Sequence, residues 1–285
     1  MTVDVEDYFQ VSAFEPYISR EAWKRTPTRV EANVDNILEM FEQKKAKGTF
    51  FTLGWIAERH PQMVRRIAAE GHEVASHGWS HVRVTQQNRQ QFREDVVRTK
   101  GNLESLIGKE ILGYRAASYS IGQGNLWALE VLNETGHRYS SSIFPIKHDL
   151  YGMPESPRFA FRPHEDEFTE FPLTTFQLGG KNLPCAGGGW FRLFPYSGMR
   201  WAMRRVNRRD RQPVIFYFHP WEIDPQQPRI SGLDAKTRFR HYLNLCRTQG
   251  RLQRLLDDFR WARMMDLLDT MEPISSGKKN SEFHN

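Results

Sequence analysis

With 285 residues, 39% of them apolar and 13% aromatic, the chain can bury a sizeable core and suits one large α/β domain, alone or with an extension. It has no run of ~18 apolar residues, which excludes a helix crossing a membrane, and MTVDVEDYFQ (1–10) lacks the basic and apolar regions of a signal peptide, so it reads as a cytoplasmic chain. Two remote cysteines, Cys185 and Cys246, exclude a disulfide scaffold and a thiol-rich metal site. The net charge of +6 is concentrated in RWAMRRVNRRDR (200–211), which reads as a solvated helix face or as a contact for an anionic polymer or membrane surface. No nucleic-acid motif accompanies it.

Along the chain, MTVDVE reads as a short buried strand ending in acids. The apolar stripe Val30, Val34, Ile37, Leu38 and Phe41 predicts a helix over 30–45. GTFFTLG (48–54) predicts a strand, and Pro61 opens a helix through PQMVRRIAAEGH. EVASH (73–77) predicts another strand, and residues 88–108 a long helix stopped by Gly108. ILGYR (111–115) reads as a strand, GNLWALEVLNETG (124–136) as a helix and PVIFYFHP (213–220) as an apolar strand. Between about 145 and 200, proline, glycine and aromatics predict a β-rich insertion or loops. A helical segment follows over 231–272 and a polar, disordered tail over 273–285. The alternation of strands and helices predicts an α/β fold with a parallel sheet or barrel.

Four clusters fall where these strands end, and strand C-termini are where α/β barrels build active sites. TVDVEDYF (2–9) carries Asp4, Glu6 and Asp7, acids that are costly at the end of an apolar strand unless a cation neutralises them. A solvated acidic turn would read the same way. HGWSH (77–81) spaces His77 and His81 so that both imidazoles can face one metal ion, although Gly78 argues against a regular helix there. Arg115 closes an apolar strand and calls for a carboxylate partner, in a site or in an ordinary ion pair. His219 ends another strand and is fixed by Pro220; a core histidine bonded to a carbonyl is the alternative. Together the clusters supply the groups needed for metal-assisted hydrolysis of an amide or ester.

The order of these clusters resembles the polysaccharide deacetylases of the NodB-homology type, the fourth carbohydrate esterase family, over residues 1–230. VDVEDYFQVSAF, SSSIFPIKHDLYGMPESPR, GGGWFRLFPY and FHPWEIDPQQPR resemble the subgroup found with exosortase and exopolysaccharide loci. The resemblance implies a distorted (β/α) barrel as catalytic domain over 1–230, including the 145–200 insertion, with 231–272 as a helical C-terminal extension. It implies a divalent metal, Zn2+ with Co2+ or Ni2+ as alternatives, held by His77, His81 and one of the two acids Glu6 and Asp7. Asp4 would be the general base, Arg115 its orienting partner and His219 the general acid; the other option makes Glu6 the base and Asp7 the ligand. A backbone N–H of the Ser118–Tyr119 turn would stabilise the oxyanion, and Tyr119, Trp190 and Trp221 would meet the sugar.

The chain departs from the family pattern at three places. Val5 separates the acids, Ala117 stands where a proline is usual, and Ser140 where an aspartate tunes the acid histidine, leaving Glu222 or Asp224 to do so. The implied activity is removal of N-acetyl groups from amino sugars of a bacterial exopolysaccharide, the partner being an N-acetylated poly- or oligosaccharide. The alternatives are a degenerate glycan-binding protein of the same fold and an amidohydrolase acting on a small cyclic imide or ureide.

Overall fold

Strict alternation in TVDV decides the centre of the fold. Val3 and Val5 belong to the core beneath the outer helices, while Thr2 and Asp4 turn to the inner face and meet Arg115. The computed structural model describes residues 1–148, 151–164, 167–268 and 270. In it β1 (Thr2–Val5) is followed by β2 (Thr49–Thr52), β3 (Glu73–Ser76), β4 (Gly113–Tyr114), β5 (Tyr139–Ser140), β6 (Thr169–Glu170) and, after a hairpin β7 (Thr175–Leu178) and β8 (Lys181–Pro184), by β9 (Tyr217–Phe218). The seven-stranded sheet runs β6-β5-β4-β3-β2-β1-β9, every pair parallel, and curls into an open half-barrel. This is the distorted (β/α) barrel expected from the sequence.

The helices α1 (Val30–Gln43), α2 (Gly54–Arg59), α3 (Pro61–Ala69), α4 (Arg89–Ile107) and α5 (Trp127–Glu134) return the chain between strands. The predicted stripe of α1 is buried from Val30 to Phe41 against β1 and β2. Each such fully buried aliphatic or aromatic side chain stabilises the fold by about 1.5–3 kcal/mol. Gly108 ends α4 in the left-handed conformation, as predicted. Residues of α9 (Leu245–Asp258), namely Leu245, Leu252, Leu255 and Leu256, join the same core as Val3. With α8 (Ala235–Tyr242) and α10 (Met265–Leu268), the helical C-terminal segment therefore packs into the main body. The 273–285 tail lies outside the described residues. Among the described residues no helix is long and apolar enough to cross a membrane.

Two expectations change. The strand predicted over PVIFYFHP shrinks to Tyr217–Phe218: Pro213 has no N–H to give, and the Ile215 amide donates to the Thr174 hydroxyl instead of to a strand. GGGWFRL, read as loop, forms helix α6 (Gly188–Leu193), followed by α7 (Tyr196–Arg205). Its glycines do more than break structure. Gly187, at φ 120°, pairs with Tyr217, and a Cβ there would stand 1.9 Å from the Tyr217 carbonyl oxygen, so only glycine lets this segment lie against the sheet edge.

Candidate active site

The inner face of β1 presents Asp4, and the turn just beyond it presents Glu6; both are at most 2% exposed. Arg115, at the end of β4 and fully buried, donates to Asp4 Oδ1 at 2.6 Å, to Thr2 Oγ1 at 2.6 Å and to the Ser141 carbonyl at 3.0 Å. Its guanidinium also lies 4.1 Å from the centroid of the Phe51 ring. The Tyr119 hydroxyl donates to the other Asp4 oxygen at 3.1 Å. Burial alone would raise the Asp4 carboxyl; Arg115, with His77 and His219, overrides it and holds Asp4 below the usual carboxylate range.

HGWSH follows β3 as an irregular bend, not a helical turn. Gly78 (φ 74°) and His81 (φ 54°) are both left-handed. Backbone bonds from Gly54 to the Gly78 carbonyl and from Trp55 to the Trp79 carbonyl, each 2.9 Å, tie the bend to α2. Asp95 of α4 accepts the Trp79 amide at 3.0 Å, and Arg20 bonds the carbonyls of Ser80 and His81 at 2.9 and 3.1 Å. His77 donates from Nδ1 to the Arg115 carbonyl at 2.8 Å, which leaves its Nε2 lone pair facing the site. Ser118 and Tyr119 also sit at φ 52°, so three non-glycine residues around the site, His81 among them, hold strained left-handed backbone.

His219 closes the opposite side from the end of β9. Its Nε2 stands 3.4 Å from Glu6 Oε1 and 3.9 Å from Asp4 Oδ2, while Nδ1 donates to Glu222 Oε1 at 2.8 Å. Burial alone would lower this imidazole; Glu6, Glu222 and Asp4 together lift it to about 9. Glu222 is therefore the partner left open by the sequence. Asp224 is occupied elsewhere, in a bidentate pair with Arg29.

The remaining predicted residues divide. Asp7 leaves the candidate ligand set, because its carboxylate accepts the amides of Tyr8, Arg29 and Val30 and so caps the start of α1 from outside the helix. Trp221, expected on the sugar face, is 4% exposed and lies between His219 and His241, at 5.1 and 4.2 Å between centroids, with its indole N–H 3.3 Å from Glu6 Oε1. It packs against His219 instead of facing solvent. The Tyr119 amide donates to the Ala116 carbonyl, so it is not aimed at an oxyanion. The Tyr119 ring does line a cavity of about 350 Å³ beside the site, with Thr85, Gln87, Gln123, Trp127 and Tyr151. Trp190 does not line the cavity itself; it stacks on Phe194 and meets His148, which stacks on the cavity residue Tyr151. Sequence reading missed Arg192, 3% exposed and 3.6 Å from Glu222. The signal available was an arginine inside the apolar run WFRLF.

Glu6, His77 and His81 form a group that could hold a metal ion: each offers one ligand atom, and these atoms lie within 4.8 Å of one another. Glu6 Oε2 and His81 Nε2 are 3.1 Å apart, yet Glu6 Oε2 is buried without a hydrogen bond, as two ligands facing one ion would be. Burial lowers both histidines towards the neutral imidazole that ligation needs, His81 furthest, and raises Glu6 to about 7, a desolvation cost that a divalent cation would offset. Two imidazoles and a carboxylate with open positions are the donor set of catalytic, not closed structural, zinc-type sites.

Residues 24–140 match the polysaccharide deacetylase family model, and residues 141–269 match a domain of unknown function, DUF3473. His77, His81 and Arg115 fall in the first match and His219 in the second. A peptidoglycan-N-acetylglucosamine deacetylase of Bacillus cereus is 39% identical over 72 residues, 25% of this chain and 26% of that protein. A chitooligosaccharide deacetylase of Rhizobium leguminosarum bv. trifolii is 36% identical over 143 residues, 50% of this chain and 60% of that protein. The chain thus spans only part of the length of these curated relatives. Among solved structures, a Mycobacterium smegmatis protein described as a candidate polysaccharide deacetylase superposes with a TM-score of 0.62 at 18% identity, covering 96% of this chain and 91% of its own. The Puue allantoinase gives 0.55 at 17% identity, covering 87% and 73%. At these identities the likeness is one of fold. Over residues 24–140 the chain is thus similar to polysaccharide deacetylases, and over 141–269 to a domain of unknown function.

Proposed function

We propose that this protein is a metal-dependent hydrolase that removes N-acetyl groups from amino sugars of a bacterial exopolysaccharide. The observation that carries the reading is the convergence of Glu6, His77 and His81, between a carboxylate clamped by Arg115 and the His219 imidazole, which Glu222 holds by Nδ1. The two curated relatives bear the names of N-acetylglucosamine and chitooligosaccharide deacetylases, which supports an N-acetylated sugar. The exopolysaccharide rests on the sequence resemblance of VDVEDYFQVSAF and FHPWEIDPQQPR to the exosortase-associated subgroup.

A divalent ion held by the three ligands, Zn2+ by the donor set, supplies Lewis acidity at the acetamide carbonyl and at the attacking water. Asp4 takes the proton of that water. It is a weak base, held ionised by Arg115, and its contribution is position: Arg115 and Tyr119 fix both of its oxygens. His219 gives its proton to the departing amine, and Glu222 holds the ring by Nδ1 while it does so. The products are acetate and a free amino sugar. The cavity beside Tyr119 has hydroxyl, amide and aromatic walls and no charged side chain, which suits the neighbouring sugar residue.

The test is acetate release from N-acetylated oligosaccharides by the zinc-loaded protein, with allantoin as a comparison substrate. Acetate release that is lost on chelation and restored by zinc is the expected result. Turnover of allantoin alone would move the assignment to the ureide hydrolases, and glycan binding without release would make the protein a binding relic.

A further inference from the structure

Seven large apolar side chains are exposed among the described residues, and four of them, Leu178, Leu193, Phe194 and Trp201, come from the short stretch 178–201. Phe176 and Leu178 share one face of the β7–β8 hairpin, and the Phe176 ring meets Trp201 at 5.7 Å between centroids. Within α7, Ser197, Trp201 and Arg205 follow at four-residue spacing and share one face; Phe194 precedes the helix and Arg208 lies in the turn after it. Trp201 is 50% exposed and Leu178 52%, at the tip of the hairpin.

Positive charge surrounds this ridge. The Arg205 guanidinium lies 5.8 Å from the Trp201 ring centroid. Arg208, Arg209 and Arg211 are exposed, with Lys181 beside Leu178 at the hairpin turn. Arg200 and Arg204 are both engaged by Asp258, whereas Arg205, Arg208, Arg209 and Arg211 make no ion pair among the described residues.

We propose that this ridge seats the protein peripherally on an anionic lipid bilayer. Aromatic faces alone would suit a glycan, but Leu178 and Leu193 gain nothing from a sugar ring. Leucine, phenylalanine and tryptophan ringed by unpaired guanidinium groups instead match an anionic leaflet: the apolar tips enter the boundary between headgroups and acyl chains, and the arginines meet phosphate. The ridge also adjoins the catalytic mouth. Trp190 stacks on Phe194 and meets His148, His148 stacks on Tyr151, and Tyr151 meets Tyr119, so one file of rings joins the ridge to the partner of Asp4. A seated protein would hold its site beside the bilayer surface.

The test is flotation of the full chain with vesicles of phosphatidylcholine alone or mixed with phosphatidylglycerol. Partition onto the anionic vesicles that weakens with added salt is expected, and it should fall about fivefold for each of Arg205, Arg208, Arg209 and Arg211 changed to glutamine. Leu178→Ser with Phe194→Ser and Trp201→Ser should lower it at least ~10-fold at low salt. All these positions are exposed or partly exposed and none of their side chains contacts Asp4, Glu6, His77, His81 or His219, so thermal stability and hydrolysis of soluble substrate should not change. Absence of flotation, or variants that float like the wild type, would overturn the proposal. So would arginine-dependent binding of a soluble polyanion such as polygalacturonate with no vesicle binding, which would assign the ridge to an anionic polymer.

Discussion

Glu222 accepts the Nδ1 proton of His219 at 2.8 Å, while Arg192 stands 3.6 Å behind its second oxygen. This places a carboxylate behind His219 three residues along its own chain, where Ser140 offers none. Glu222→Gln keeps the shape of the side chain but lets the ring turn and lose its charge. The expected outcome is a fall of at least ~10-fold in kcat with metal content unchanged, and intermediate activity for Glu222→Asp. Unchanged kcat in a folded Glu222→Gln protein would reduce Glu222 to packing.

Metal content separates the two acids that follow β1. Purified protein should carry about one divalent ion per chain, and His81→Ala and Glu6→Gln should each lose it. Asp7→Asn should keep the ion but lower stability by about 0.5–2 kcal/mol, because Asp7 caps α1 from outside. Mass spectrometry for metal and denaturant melts for stability check both halves. Loss of metal in Asp7→Asn would return Asp7 to the ligand set.

Asp4→Asn should reduce turnover by at least ~10² while metal stays bound. It also leaves the fully buried Arg115 without its counter-charge, so a stability loss of about 3–5 kcal/mol is expected as well. The two effects part in single-turnover measurements on the folded fraction. Normal turnover there would transfer the base role to another group.

Acid should destabilise the protein through two buried neutral histidines. Burial, followed by Lys100, lowers His137 to about 3, and burial, followed by Lys47, lowers His72 to about 4. Their unfolded value is about 6.5, so below it the unfolded chain binds the extra protons and stability falls as pH falls, by ~1.4 kcal/mol per pH unit for each histidine until its folded value is reached. Asp95, raised by burial to about 6, acts with the opposite sign over part of that window, which makes a variant comparison necessary. Urea melts near pH 7 and near pH 5 should show ~2 kcal/mol less acid destabilisation in His137→Gln than in the wild type. Equal losses would mean that His137 is protonated in the fold.

The positions of the site residues were legible in the sequence because each cluster follows a strand whose apolar pattern announces where it ends. The partners of those residues were not legible. Asp7 looks like a ligand beside Glu6 until the fold brings the amides of Arg29 and Val30 against it, more than twenty residues on. Trp221 looks like a sugar platform because it neighbours His219, but the short helical turn begun by Pro220 swings it inward between two imidazoles. The same turn selects Glu222 over Asp224, a choice of face that spacing alone leaves open. Gly187 reads as a breaker, and only the approach of the Tyr217 backbone shows why no side chain fits.

In the sheet, β1 lies between β2 and β9, so Thr2 and Val3 stand beside Tyr217 and Phe218. During synthesis, the ribosome has delivered Asp4, Glu6, His77, His81 and Arg115 well before it delivers His219. On the proposed assignment, the nascent chain holds the ligands and the base before it holds the acid. Its first strand meanwhile waits with one edge unpaired for a partner that arrives over two hundred residues later. The segments matched to two separate families thus contribute strands to one sheet, and a chain cut between them would keep Glu6, His77 and His81 and lose His219.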